Sequence, residues 1–273
     1  MYKKIETIEE IQAISLSILI KFDKFCREHN LRYSLAAGTM LGAIRHKGFI
    51  PWDDDIDVLM PRPDYDEFIH YHGGICEGLS VINLENMEIP YFAYSKLIDD
   101  NTVLIESIRI KNQRGVGIDI FPVDGLPDES DAQKKHFKKL KRYKDVIVLN
   151  TIRIEKGSSL VNFILKLLLI PTARIVFNLP AAVKKLDNLA RKYDFEKSKY
   201  VAAQTLNYQE KEILPREAFE NFVEVEFCKK RFMAISCYDK YLGNLFGDYM
   251  KLPPLEQRIS SHAYIAYYKN IGE

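Results

Sequence analysis

Residues 38–66, GTMLGAIRHKGFIPWDDDIDVLMPRPDYD, run from Gly38 to Asp66 and decide how the rest of the chain is read. Asp53, Asp54, Asp55 and Asp57 place four carboxylates within five positions. Such a cluster repels itself unless a cation or a set of donors offsets it. Ile56-Asp57-Val58-Leu59-Met60 has the apolar, partly β-branched composition of a short buried strand. Side chains alternate along a strand, so Asp53, Asp55 and Asp57 would share one face while Ile56 and Val58 enter a core. Same-face neighbours lie roughly 6–7 Å apart, a span that grips one or two hard cations. Oxygen-only ligands suit Mg²⁺, with Mn²⁺ as the alternative ion. The competing reading is a solvated acidic turn after Pro51. A calcium loop does not fit, because an EF-hand begun at Asp53 puts Val58 at the glycine position and Asp64 at the bidentate glutamate.

Upstream, Thr7-Ile8-Glu9-Glu10 has the form of a capping box, and Ile11, Ile14, Ile18, Phe22 and Phe25 follow at helical spacing to about His29. A short strand, Arg32–Ala37, runs into Gly38-Thr39 and a helical stretch, Met40–Arg45. Strand, Gly-Thr, helix is a geometry that offers backbone N–H groups to an anion. Arg45-His46-Lys47 either meet phosphate or form a helix end favoured by the dipole. Trp52, the sole tryptophan, is either a core anchor or a surface for a base or a cationic head group. Downstream, Leu79–Ile82, Tyr91–Ile98 and Thr102–Ile105 read as strands, and a helix opens at Pro63-Asp64. Lys96, inside an apolar strand, needs a partner such as phosphate or one of the acids. In Gly117–Asp124 a single carboxylate, Asp119, stands between two isoleucines, aimed out of a strand; Asp124 reads as structural. Asp54 is expected to face away from the site and cap the turn.

The 273 residues are 47% hydrophobic and 28% charged, with a formal net charge of +1, which gives no electrostatic reason to expect nucleic-acid binding. Cys26, Cys76, Cys228 and Cys237 show no metal or disulfide spacing and read as free thiols in a reducing compartment. The N-terminal residues have no apolar signal-peptide core, so a cytoplasmic location is expected. Residues 131–144 read as an exposed basic helix. The apolar stretch Leu160–Leu179 is broken by Lys166, Pro171 and Arg174, which disfavours a span and leaves a core hairpin or a membrane-surface contact. A polar helix is expected over Leu186–Lys199, a strand over Phe222–Phe227, and a helix from Tyr238 into a loop before Arg258 and His262.

Three segments together resemble the LicD family of phosphocholine and related phospho-group transferases, which belongs to the nucleotidyltransferase-fold superfamily. They are YSLAAGTMLGAIRHKGFIPWDDDIDVLMPRPDYDEF (Tyr33–Phe68), GIDIFPVDGLP (Gly117–Pro127), and FGDYMKLPP with Arg258 and His262. The resemblance implies an α+β fold: a nucleotidyltransferase-like core with a mixed β-sheet flanked by helices, a helical insertion and C-terminal helices. The corresponding division is a catalytic core over 1–128, an insertion over 129–215 and a completing segment over 216–273. It implies Asp55, Asp57 and Asp119 as catalytic residues, and Asp53, Asp55, Asp57 and Asp119 as ligands of Mg²⁺ or Mn²⁺. Gly38, Thr39, Arg45, Lys47, Trp52, Lys96 and His262 are the candidate substrate-binding residues. The implied reaction moves phosphocholine from CDP-choline to a hydroxyl of a lipid-linked cell-surface glycan or teichoic-acid precursor at the inner leaflet. Alternatives are nucleotidyl transfer to a small acceptor, transfer of glycerol or ribitol phosphate, and a non-catalytic membrane-peripheral scaffold. Fukutin-related relatives carry a cysteine-based zinc site; no such spacing occurs here, and no zinc is expected.

Overall fold

A computed structural model describes residues 2–71, 77–110, 114–153, 170–259 and 264–269. Helix α1 (Ile8–Glu28) starts at the predicted capping box: the Glu10 N–H donates to Thr7 Oγ1 at 3.2 Å and the Thr7 N–H donates to the Glu10 carboxylate at 3.2 Å. Its buried stripe, including Ile18, Phe22 and Phe25, packs on the central sheet, where Phe22 meets Tyr33 and Phe68 edge to face.

That sheet is mixed, in the spatial order β2 (Ser34–Leu35), β3 (Asp57–Pro61), β7 (Gly117–Gly125), β5 (Ser95–Asp99) and β4 (Leu79–Ile82). Strands β3 and β7 are parallel, and the other neighbours are antiparallel. Strand β3 starts only at Asp57; Asp53–Ile56 approach it as irregular chain. The Ile56 carbonyl nevertheless accepts the Asp119 N–H at 2.8 Å, so the ladder extends past the strand end. Val58 and Ile120 are fully covered, as a sheet buried by helices requires. Helix α2 (Ala37–His46) links β2 to the acidic segment, and α3 (Arg62–His70) follows β3. The fold is thus α+β with a mixed sheet.

The chain after β7 builds a second core. Helices α4 (Ser130–Thr151) and α5 (Leu179–Ala190) pack Phe137, Leu140 and Ile147 against Leu179, Val183 and Leu186. Helix α5 ends at Ala190, short of the helix expected through Lys199. Asp194 turns the chain there by accepting the N–H groups of Glu196 and Lys197. Two short strands, β8 (Tyr200–Ala202) and β9 (Leu214–Pro215), return this segment to the end of β7. A hairpin of β10 (Phe222–Phe227) and β11 (Lys230–Ile235) turns at Cys228-Lys229, both with positive φ, the conformation of a two-residue hairpin turn. Helix α6 (Tyr238–Phe246) follows. Finally, β12 (Tyr264–Lys269) pairs between β1 (Tyr2–Lys4) and β6 (Thr102–Glu106) in a separate antiparallel sheet. Cys26, Cys228 and Cys237 are free. Among the described residues no helix is long and apolar enough to cross a membrane.

Candidate active site

The register of three strands brings the site together. Asp57 on β3 lies beside Asp119 on parallel β7, and Lys96 on antiparallel β5 lies beside Asp119 on its other side. Laterally paired residues share a sheet face, so Asp57, Asp119 and Lys96 form one row across the sheet. Lys96 is buried and its ammonium donates to the Asp119 carboxylate, one of the partners its position calls for. Burial lowers the Lys96 pKa, against the pull of Asp119 and with a further push from Arg114. Burial raises the Asp57 carboxyl well above the usual range; the nearby Asp55 and Asp119 charges add to this and Lys96 offsets part of it.

The acidic segment approaches this row under restraint. The Asp57 N–H donates to Thr39 Oγ1 at 2.9 Å, so the threonine side chain fixes the strand's first residue. The Gln12 amide donates to the Asp53 carbonyl at 2.7 Å, anchoring the segment to α1. A Cβ on Gly38 would stand 2.7 Å from Asp53 Oδ2, so the absence of a side chain there lets the carboxylate lie against the first turn of α2. The Ala37 N–H at that turn donates to the Tyr241 hydroxyl of α6 at 3.3 Å.

Asp55, Lys96 and Asp119 line one cleft of about 280 Å³, together with Tyr94, Arg114 and Tyr264. Asp54 lines it too. Its carboxylate accepts the Tyr264 hydroxyl from β12, so it does not face away as expected. Asp53, Asp57, Gly38 and Thr39 do not line this cleft, and neither do Arg45, Lys47 and Trp52. Arg45 donates to the carbonyls of Tyr249 and Lys251 at 2.7 and 3.3 Å. Trp52 carries the Arg258 guanidinium over its ring at 5.7 Å. Lys47 caps α2 with φ +59°, and its carbonyl accepts the Cys228 N–H at 2.8 Å. Lys47 lies nine residue steps, about 13 Å along the helix, from Gly38 at the other end of α2. His262 lies outside the described residues, as do residues 160–169, the first half of the Leu160–Leu179 stretch.

Arg114, Tyr94, Glu106 and Tyr264 were not singled out from sequence. Arg114 follows no strand pattern, and Tyr264 reaches the site only through the β12–β6 pairing. Asp124, by contrast, is structural as read, gripped by Arg62 through two hydrogen bonds of 2.6 and 2.7 Å.

The donor set of Asp53, Asp55, Asp57 and Asp119 is entirely hard oxygen, and the Asp57 carboxyl is raised first by burial and then by the neighbouring Asp55 and Asp119 charges. By donor chemistry these residues fit Mg²⁺ or Mn²⁺. Among the described residues no three His, Cys, Asp or Glu side chains converge on a single ion position, and Asp119 is turned to Lys96.

Asp57, Asp119 and a buried lysine thus form one row across the sheet, with Asp119 and Lys96 lining the cleft. Comparison with known proteins gives the family. The profile described as "LicD/FKTN/FKRP, nucleotidyltransferase domain" matches residues 30–154. Over 270 residues the chain is 32% identical to the lipopolysaccharide cholinephosphotransferase LicD of Haemophilus influenzae, covering 96% of this chain and 98% of the relative. Uncharacterized proteins of Rickettsia typhi and Rickettsia prowazekii are 41% and 44% identical over 58 and 54 residues, about a fifth of each chain. The chain belongs to the LicD family, and is a transferase.

Proposed function

We propose that the protein transfers phosphocholine from CDP-choline to a hydroxyl of a lipid-linked cell-surface glycan, on a nucleotidyltransferase-like core. The observation that carries this is the row of Asp57, Asp119 and Lys96 across three strands, in a chain aligned nearly end to end with a lipopolysaccharide cholinephosphotransferase. The acceptor oxygen bonds to the choline-bearing phosphorus, the bond to the bridging oxygen breaks, and CMP leaves with the electron pair. Asp119, whose carboxylate accepts the Lys96 ammonium, takes the hydroxyl proton. Gly38 and Thr39, in the first turn of α2, offer backbone N–H groups to the diphosphate. Mg²⁺ or Mn²⁺ held by Asp53, Asp55, Asp57 and Asp119 would supply neutralisation of charge on the phosphoryl oxygens. Exposed Ile175, Val176 and Phe177, at the end of the interrupted apolar stretch, support contact with the membrane surface that bears a lipid-linked acceptor.

The test is product analysis with CDP-choline labelled in both phosphates, offered with Mg²⁺ and an acceptor extract. Release of CMP with label passing to the acceptor is the expected outcome. Pyrophosphate release is impossible from this donor, so the parallel arm offers CTP: pyrophosphate appearing there, with no CMP from CDP-choline, would replace the proposal by nucleotidyl transfer.

A further inference from the structure

Next to the carboxylate cleft lies a second compartment of about 230 Å³, and the two share Tyr94, Glu106 and Arg114 as a common wall. Its size falls below the ~300–1,000 Å³ of drug-sized pockets and suits a small head group. Residues 91–94 were expected to begin a strand, but the strand starts at Ser95 and Tyr91, Phe92 and Tyr94 instead form an aromatic ladder. Ring centroids lie 4.8 Å apart for Tyr91–Phe92, 4.6 Å for Phe92–Tyr94 and 4.5 Å for Tyr94–Phe121. All three rings of the 91–94 segment line the second compartment, with Ile147 and Leu186 supplying aliphatic surface. The ladder already attracts positive charge: Lys96 Nζ sits 5.2 Å from the Tyr94 centroid and 5.6 Å from that of Phe92.

The shared wall carries one charge of each sign. Arg114 pairs with Glu106, and Glu106 also accepts the Tyr91 hydroxyl at 3.3 Å. The Arg114 side chain is 9% exposed, and its Nη1 has no hydrogen-bond partner among the described residues. A buried guanidinium nitrogen left unpaired is costly, and an anionic oxygen from a ligand removes the cost. A quaternary ammonium is weakly hydrated and has no N–H to satisfy, so aromatic faces beside a carboxylate suit it better than a primary ammonium. Lys144 also lines this compartment. Its ammonium is engaged by the Leu206 carbonyl, and burial lowers it to about 8.

We infer that Tyr91, Phe92 and Tyr94, with Glu106 and Arg114, form the subsite for a zwitterionic choline phosphate head. The trimethylammonium lies against the rings near Glu106, and the phosphate lies at Arg114, on the side of the carboxylate row. This deepens the phosphocholine reading above and rests on it.

The experiment uses the full chain with Tyr91→Ala, Tyr91→Phe and Glu106→Gln, each checked for an unchanged thermal midpoint. The first readout is the kcat/KM ratio for CDP-choline over CDP-ethanolamine. The second is phosphocholine binding by calorimetry. Tyr91→Ala and Glu106→Gln should each lower the ratio and weaken phosphocholine binding roughly ten-fold, while Tyr91→Phe keeps both within about two-fold. Wild-type turnover of CDP-choline with a ratio and binding unmoved in both variants overturns the subsite and leaves the transfer reading standing. Phosphocholine binding that is lost in Tyr91→Ala, in a protein releasing no CMP, upholds the subsite and removes the transfer reading. A wild-type protein that neither binds nor transfers overturns both.

Discussion

At Asp57 the chemistry of the site is concentrated in one side chain. Its carboxyl is raised by burial and by Asp55 and Asp119, which means the free protein holds its acids together at an energetic disadvantage. A bound divalent cation removes that disadvantage, so EDTA should abolish turnover and Mg²⁺ restore it; a chelated protein at full rate contradicts the metal reading. Gly38 gives a second prediction. In a helix, Gly→Ala ordinarily stabilises by roughly 0.5–1 kcal/mol. Here the new methyl would meet the Asp53 carboxylate, a group that can swing aside without unfolding the chain. Gly38→Ala should therefore leave the thermal midpoint no lower while cutting kcat at least about ten-fold. A fall in midpoint with intact kcat is the opposite result. At this scale the acids and Lys96 were legible because charge inside an apolar strand has few explanations. Arg45 and Lys47 read as candidates beside Gly38 and Thr39 because spacing alone does not say which end of α2 lies nearer the acids. Arg114 and Tyr91 left no signal, since their roles depend on chain crossings.

Strand β7 shows how one element separates chemistry from architecture. Asp119, near its start, faces the cleft, while Asp124, near its end, is buried against Arg62. Removing one partner of a buried pair leaves the other charge uncompensated, at about 3–5 kcal/mol. Asp124→Ala should lower unfolding free energy by that amount in a denaturant titration. A loss below about 1 kcal/mol would place the pair in the weak, exposed class. Helix α1 was legible end to end because its capping box and its apolar period agree. The two- and three-residue strands β2, β8, β9 and β1 are too short to show a period, so only Ser34–Leu35, flanked by the Gly-Thr turn, was anticipated. The helix expected through Lys199 stops early because its polar composition conceals the turn made by Asp194.

Across the whole molecule, segments far apart in sequence meet around the site: Tyr241 of α6 accepts the Ala37 N–H at the start of α2, and Tyr264 of β12 donates to Asp54. Burial pushes the Glu212 carboxyl up to about 8, with Tyr241 and Lys144 pulling the other way, and burial lowers Lys144 to about 8. The folded state holds the Glu212 proton more tightly than the unfolded chain, so that stabilisation is complete below the ordinary pKa of 4.5 and lost as pH rises to about 8. For Lys144 the unfolded chain binds the proton better, so stability returns between about 8 and the ordinary 10.5. The denaturant midpoint should therefore fall from pH 5 to 8, and Glu212→Gln should flatten that descent; parallel profiles contradict the assignment. The α+β class was readable through the family resemblance and the pairing of Asp57 with Asp119 through single acids set in apolar strands, whereas the second core and the β1–β12–β6 sheet depend on pairings over long sequence separations. Everything proposed about function turns on Asp57 acting within that row. The most direct measurement is the initial rate of CMP release from CDP-choline by Asp57→Asn with Mg²⁺, at an unfolding midpoint no lower than that of the parent. A rate below about a hundredth of the parent is predicted, the scale of losing a main charge-stabilising group; a tenth or more would contradict the account.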